Sequence, residues 1–190
     1  MGNERMRYRT IVADPPWNER GGGKIKRGAD RHYPVMKSKD ILHLMQDVLV
    51  GHDPGGCHLY LWVTNNFLED GLFVMKGLGF RYVTMRTWAK DRIGLGYYYR
   101  GQTESCLFGV MGKLPSQVRT ESTLIGKGIV PRGRHSAKPE VFFEEVERVS
   151  PGPYLELFAR SPRRGWTVWG NETGPPAPPL LTEVHQEDGI

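Results

Sequence analysis

The chain is short of cysteine, of long apolar runs and of nucleotide-loop glycine patterns, and each shortage excludes a class of protein. Only Cys57 and Cys106 occur among 190 residues, both inside apolar stretches, with no second Cys or His at metal-ligand spacing. That predicts reduced core thiols, not a disulfide framework or a structural zinc site, and no metal is expected. No apolar run approaches the roughly 18 residues of a membrane span, and Met1 to Thr10 is polar and charged, unlike a signal peptide. A soluble cytoplasmic protein without a membrane partner is the expectation. The pattern G-x-x-x-x-G-K-[ST] is missing, so Gly21-Gly22-Gly23 is read as a flexible lid and not as a phosphate loop.

What is present is a basic balance, 26 Lys+Arg against 21 Asp+Glu, concentrated in two Gly-containing stretches. Arg20, Lys24, Lys26, Arg27, Arg31 and His32 fall in one, and Arg119, Lys127, Arg132, Arg134, His135 and Lys138 in the other. Basic, Gly-rich loops can follow a phosphate backbone with salt-dependent affinity, although solubilising loops have the same composition.

The length fits one domain with a real core. Arg9 to Ala13 ends in a fully apolar run, as a central parallel strand does, and Asp14-Pro15-Pro16-Trp17 stops it. Ser38 is placed to cap a helix bearing Ile41, Leu42, Met45, Val48 and Leu49. Cys57 to Val63 reads as a second buried strand, and Asn65 or Asn66 opens a helix that stops near Gly77 and Gly79. Arg81 to Ala89 and Glu104 to Met111 then read as an antiparallel hairpin. Gly112 to Lys138 reads as a long basic loop. Pro139 starts a third helix with Val141, Phe142, Val146 and Val149 inside, and strands follow at Tyr154 to Ala159 and Trp166 to Trp169. The pattern predicts a three-layer α/β sandwich on a mixed, mostly parallel sheet with a terminal antiparallel hairpin. One domain is expected over residues 1–172, followed by a Pro-rich, unfolded tail over 173–190.

Asp14-Pro15-Pro16-Trp17 lies at the carboxyl end of a buried strand, the edge where open α/β sheets bind ligands. Its chemistry suits methylation of the exocyclic amine of adenine. That amine is a poor nucleophile, because its lone pair is delocalised into the ring, so it must be held with acceptors receiving its two protons. The Asp14 carboxylate can supply one acceptor and the Pro15 carbonyl another, with Pro15 and Pro16 fixing the backbone. Trp17 offers a face on which a base can stack, worth about 1–3 kcal/mol. An amine hidden in a duplex also requires a single strand or a flipped base.

These residues resemble the MT-A-seventy family of adenine N6-methyltransferases, whose signature is Asp-Pro-Pro-Trp, and its smaller bacterial and phage members in particular. The resemblance continues through Tyr33-Pro34-Val35-Met36, Leu59 to Thr64, Glu104 to Val110, Ser136 to Pro139, Glu147 to Gly152, Leu155 to Arg160 and Gly170-Asn171-Glu172. It implies a circularly permuted Rossmann-like fold, with the catalytic strand first and the cofactor strand at Tyr154 to Arg160, and S-adenosylmethionine as cofactor. By the same resemblance Lys138 pairs with the cofactor's carboxylate. Arg160 and Asn171 hold its ribose side with Glu156 and Glu172 nearby, and Asp14 lies by the transferred methyl. Tyr33 and Glu104 stand near the acceptor base. The basic stretch Ser161-Pro162-Arg163-Arg164 departs from the family pattern.

Read without the family, Lys138 is more readily a solvated cation, and Arg160 is equally a neutraliser of the sheet edge. Trp62, Trp88, Trp166 and Trp169 read as packing residues. The resemblance implies a nucleic-acid substrate. Compactness and the lack of an accessory RNA-binding module favour DNA over RNA, as in bacterial or phage members. Sequence context is expected from the loops, a second protomer (a homodimer) or a partner subunit. A catalytically silent nucleic-acid-binding subunit is the alternative.

Overall fold

A computed structural model describes residues 7–17, 35–49, 53, 55–96, 98–133 and 137–170. The expectations for Tyr33, Asn171, Glu172, the Gly21 triplet and the tail fall outside them.

Among the described residues, seven strands form one sheet. They are β1 (Thr10–Ala13), β2 (Gly56–Val63), β3 (Arg81–Lys90), β4 (Thr103–Gly112), β5 (Leu124–Val130), β6 (Tyr154–Leu157) and β7 (Trp166–Trp169), in the spatial order β5-β3-β4-β2-β1-β6-β7. The first strand is interior, parallel to β2 on one side and to β6 on the other. All four of its residues are buried, as its apolar run predicts. Only β4 runs against its neighbours.

Alternation along the strands sorts the core into two layers. Ile11, Ala13, Leu59, Leu61 and Val63 pack with Ile41 and Met45 of α1 (Ser38–Leu49) and Val74 and Met75 of α2 (Leu68–Gly77). Val12, Tyr60 and Trp62 point the other way, onto Phe142, Phe143 and Val146 of α3 (Glu140–Val149). A mixed, mostly parallel sheet between helices is the three-layer arrangement the strand–helix alternation predicts.

Four details differ from the sequence reading. The stretch read as a basic loop contains β5, which pairs parallel to β3 across a register shift. The hairpin is therefore not the end of the sheet. Ser38 does not cap its helix by its side chain; its hydroxyl donates to the Asp70 carboxylate and ties α1 to α2. In α3 the buried positions include Phe143 and Glu145, whereas Val141 and Val149 are half-buried. Glu145 is tolerated inside because it accepts from Arg86 and from the Gly126 amide, joining α3 to β3 and β5. Last, β6 stops at Leu157, since Phe158 turns into the left-handed region at φ 62°.

Both cysteines are buried and unbridged. Burial pushes the Cys57 thiol up to about 12, with Asp53 adding to it, and raises Cys106 as well. Among the described residues no helix is long and apolar enough to cross a membrane.

Candidate active site

Parity along the strands puts the functional side chains on the α3 face of the sheet. Val12 aligns with Tyr60 and with Glu156, so Asp14, one step past the end of β1, emerges beside Trp62 and Glu156. The chain enters α3 through Ala137, Lys138 and Pro139, directly over this edge. Pro139, at φ −67°, holds the extended N-cap position. An open cleft lies between them, lined by Asp14, Trp62, Lys138, Glu156, Arg160 and Arg163 among others.

Beside the cleft runs a line of alternating charges. Lys138 Nζ donates to Asp14 Oδ2 at 2.6 Å and lies 3.3 Å from Glu104 Oε2. It also sits 5.0 Å from the centre of the Trp62 ring. Lys90 Nζ donates to the other oxygen of Glu104. Burial pulls the Lys138 ammonium down, but the Asp14 and Glu104 carboxylates outweigh it and hold the group above its ordinary value. Burial likewise raises Glu104, and Lys138 and Lys90 together bring it below the usual carboxylate range. Lys138 and Glu104 therefore both carry charge at neutral pH.

Glu156 is different. Burial raises its carboxyl to about 7; Arg163 opposes this, while Asp14 and Glu140 add to it. Arg163 spreads its guanidinium 3.5 Å from the centre of the Phe143 ring, pairs with Glu140, and leaves Nε 3.7 Å from Glu156 Oε2. That Nε and the Trp62 Nε1 are buried without a hydrogen-bond partner. Two orphaned donors lining one cleft suit a ligand that brings acceptors.

The structure thus brings Asp14, Lys138, Glu104, Glu156 and Arg160 to one place. Trp17 it does not offer as a stacking face. The ring is 4% exposed, stacks on Phe67, and donates from Nε1 to the Trp62 carbonyl at 2.9 Å. Its role is to fix the turn after β1. Pro15 and Pro16 are buried, and their carbonyls already accept from Trp17 N at 2.9 Å and Met36 N at 2.8 Å. The Pro15 carbonyl keeps one lone pair for a further donor. Trp62 is 1% exposed, a packing residue as expected, yet it also floors the cleft. Lys90 and Arg163 escape the sequence reading. Only the hairpin register, with Trp88 opposite Glu104, reveals that Lys90 reaches Glu104.

Residues 8–172 match the family model MT-A70. The chain is 29% identical to a type II methyltransferase, M.MunI, from a Mycoplasma species, over 88% of this chain and 78% of that one. It is 28% identical to the human N(6)-adenine-specific methyltransferase METTL4, over 90% of this chain and 38% of the relative. It is also 28% identical to the human N(6)-adenosine-methyltransferase catalytic subunit METTL3, over 87% and 28% respectively. The chain thus spans most of the Mycoplasma enzyme but well under half of the human ones. The chain, which carries Asp-Pro-Pro-Trp at the carboxyl edge of a mostly parallel sheet, belongs to the MT-A70 family of N6-adenine methyltransferases.

Proposed function

We propose that this protein transfers a methyl group from S-adenosylmethionine to the N6 amine of adenine in a nucleic acid, DNA in preference to RNA. The observation that carries the reading is the Asp14 carboxylate at the mouth of the cleft, beside a buried cation and flanked by orphaned donors. The residues present fit the cofactor. Lys138 is the cation for its carboxylate, and Glu156 and Arg160 line the end of the cleft assigned to its ribose, with Asn171 and Glu172 assigned there by family resemblance. When bound, the cofactor supplies a methyl on a sulfonium, already a good leaving group.

What remains for the protein is positioning. Asp14 accepts one N–H of the amine and the Pro15 carbonyl a second, which aims the nitrogen lone pair. The excess proton leaves to Asp14 or to water. Glu104 and Tyr33 are assigned to the acceptor base by resemblance. With Trp17 buried, stacking falls to other residues. The preference for DNA is supported by coverage: the chain spans 78% of the type II methyltransferase but 28% of METTL3, which is named for adenosine. Sequence context comes from the chain's own loops, a second protomer or a partner subunit.

The test is methyl transfer from labelled S-adenosylmethionine to unmethylated DNA and RNA in parallel, with nucleoside mass analysis. N6-methyladenine, chiefly in DNA, is expected. Cofactor binding with no product in either polymer points to a missing partner or substrate, and no cofactor binding overturns the assignment in favour of a catalytically silent subunit.

A further inference from the structure

We infer that Lys138 blocks Asp14 until the cofactor's carboxylate draws it away, so that the cofactor must bind before the target adenine. The inference rests on the function proposed above. Asp14 is the carboxylate proposed to receive the amine's proton, and its Oδ2 is engaged by the Lys138 ammonium at 2.6 Å. A neutral amine competes poorly for that oxygen, because Lys138 adds the attraction of a full positive charge to its hydrogen bond and the amine does not. A ligand carboxylate can, since it meets the ammonium on equal terms.

The surroundings give Lys138 somewhere to go and keep it from going too early. Its stem is long and flexible, and a second anchor, Glu104 Oε2, lies 3.3 Å from Nζ. Lys90 occupies the other Glu104 oxygen, so Glu104 holds Lys138 without capturing it. The four groups, Asp14, Lys138, Glu104 and Lys90, sum to zero charge. One added carboxylate tips the balance at Lys138, and Asp14 is released to the amine. Because the two carboxylates also keep Lys138 protonated, a change of pH in the neutral range does not lift the block. Lys138 is in this sense a positioning residue for the acceptor as well as a contact for the cofactor. Glu104 and Lys90 act through it.

The experiment compares two cofactor-site ligands on the full chain. S-adenosylhomocysteine carries the carboxylate, and 5′-methylthioadenosine has the same nucleoside without it. A single-stranded oligonucleotide with one adenine is titrated against a twin in which purine, lacking the amine, replaces that adenine. Saturating S-adenosylhomocysteine is expected to raise the preference for adenine over purine about tenfold, within the usual range of coupling between sites. Methylthioadenosine is expected to leave it unchanged. In Lys138→Met the preference should be high without any ligand. Equal effects of the two ligands, or coupling that survives in Lys138→Met, would overturn the inference even if the protein methylates DNA. Failure of S-adenosylhomocysteine to bind at all would remove the proposed function along with it.

Discussion

Glu156 and Asp14 end neighbouring strands on the same face, but a cation touches Asp14 at hydrogen-bond distance whereas Arg163 stands 3.7 Å from Glu156. The consequence is a pH effect with a definite sign. Between the ordinary value of 4.5 and about 7, native Glu156 keeps a proton that the unfolded chain has released. Stability therefore falls as pH rises through that window, by about 3 kcal/mol in all. Glu156→Gln, which keeps the shape and loses the charge, should match the wild type in urea denaturation at pH 4.5 and exceed it at pH 8. Equal midpoints at both would show that Glu156 titrates normally. For Asp14→Ala the expected loss is in turnover, roughly 10²–10³-fold as for removal of one transition-state contact, while calorimetry should show cofactor binding largely intact. Asp14 is legible in the sequence because its prolines and Trp17 are adjacent to it. Arg163 is not, because its partners Glu140 and Glu156 and its platform Phe143 meet it only through the fold.

The elements are joined by a few contacts whose removal has predictable sign. Gly71 lies in α2 against the sheet, where an added Cβ would stand 2.4 Å from Val63 Cγ1 and 3.0 Å from Leu107 Cδ1. In an exposed helix Gly→Ala stabilises by about 1 kcal/mol. Here overpacking, about 1–3 kcal/mol, reverses the sign, and Gly71→Ala should lower the denaturation midpoint. His58 of β2 ties two other segments together. One ring nitrogen donates to the Leu114 carbonyl at 2.9 Å, and Nδ1 accepts from Ser150 Oγ at 2.7 Å, which in turn accepts from Tyr60 Oη. Burial lowers the His58 imidazole below 6.5; the Leu114 bond opposes this, and Arg9 adds to it. Its contribution is complete above pH 6.5 and is lost as pH falls below that, the reverse of Glu156. His58→Gln should flatten the acid slope of stability relative to the wild type, and an unchanged slope would place the acid sensitivity elsewhere. The strands and helices with clear periodicity were readable in advance. β5 was not, because Gly126, Lys127 and Gly128 read as loop chemistry and the strand bulges there, with Gly126 and Lys127 at φ 67° and 56°. Its place at the sheet edge follows only from pairing with β3.

At the scale of the molecule, the cleft draws Asp14, Trp62, Lys138, Glu156 and Arg163 from the turn after β1, two strands, the approach to α3 and the loop after β6, and Glu104 of β4 reaches it through Lys138. No short segment owns the site, so a ligand that fills it binds the native state and not the unfolded chain. At a concentration 100 times its dissociation constant such a ligand adds about 2.7 kcal/mol, and a domain of this size gains about 2–4 °C per kcal/mol. S-adenosylhomocysteine should therefore raise the melting temperature by about 5–10 °C in one cooperative transition. Lys138→Met, assayed at the same ligand concentration, should lose most of that rise, since the carboxylate contact is gone. Gly71→Ala should start from a lower melting temperature yet keep the full rise, because α2 lies on the opposite face of the sheet from the cleft. A rise that disappears in Gly71→Ala but persists in Lys138→Met would mean that the ligand sits on the α1–α2 side and that the cleft over α3 is not where the cofactor binds.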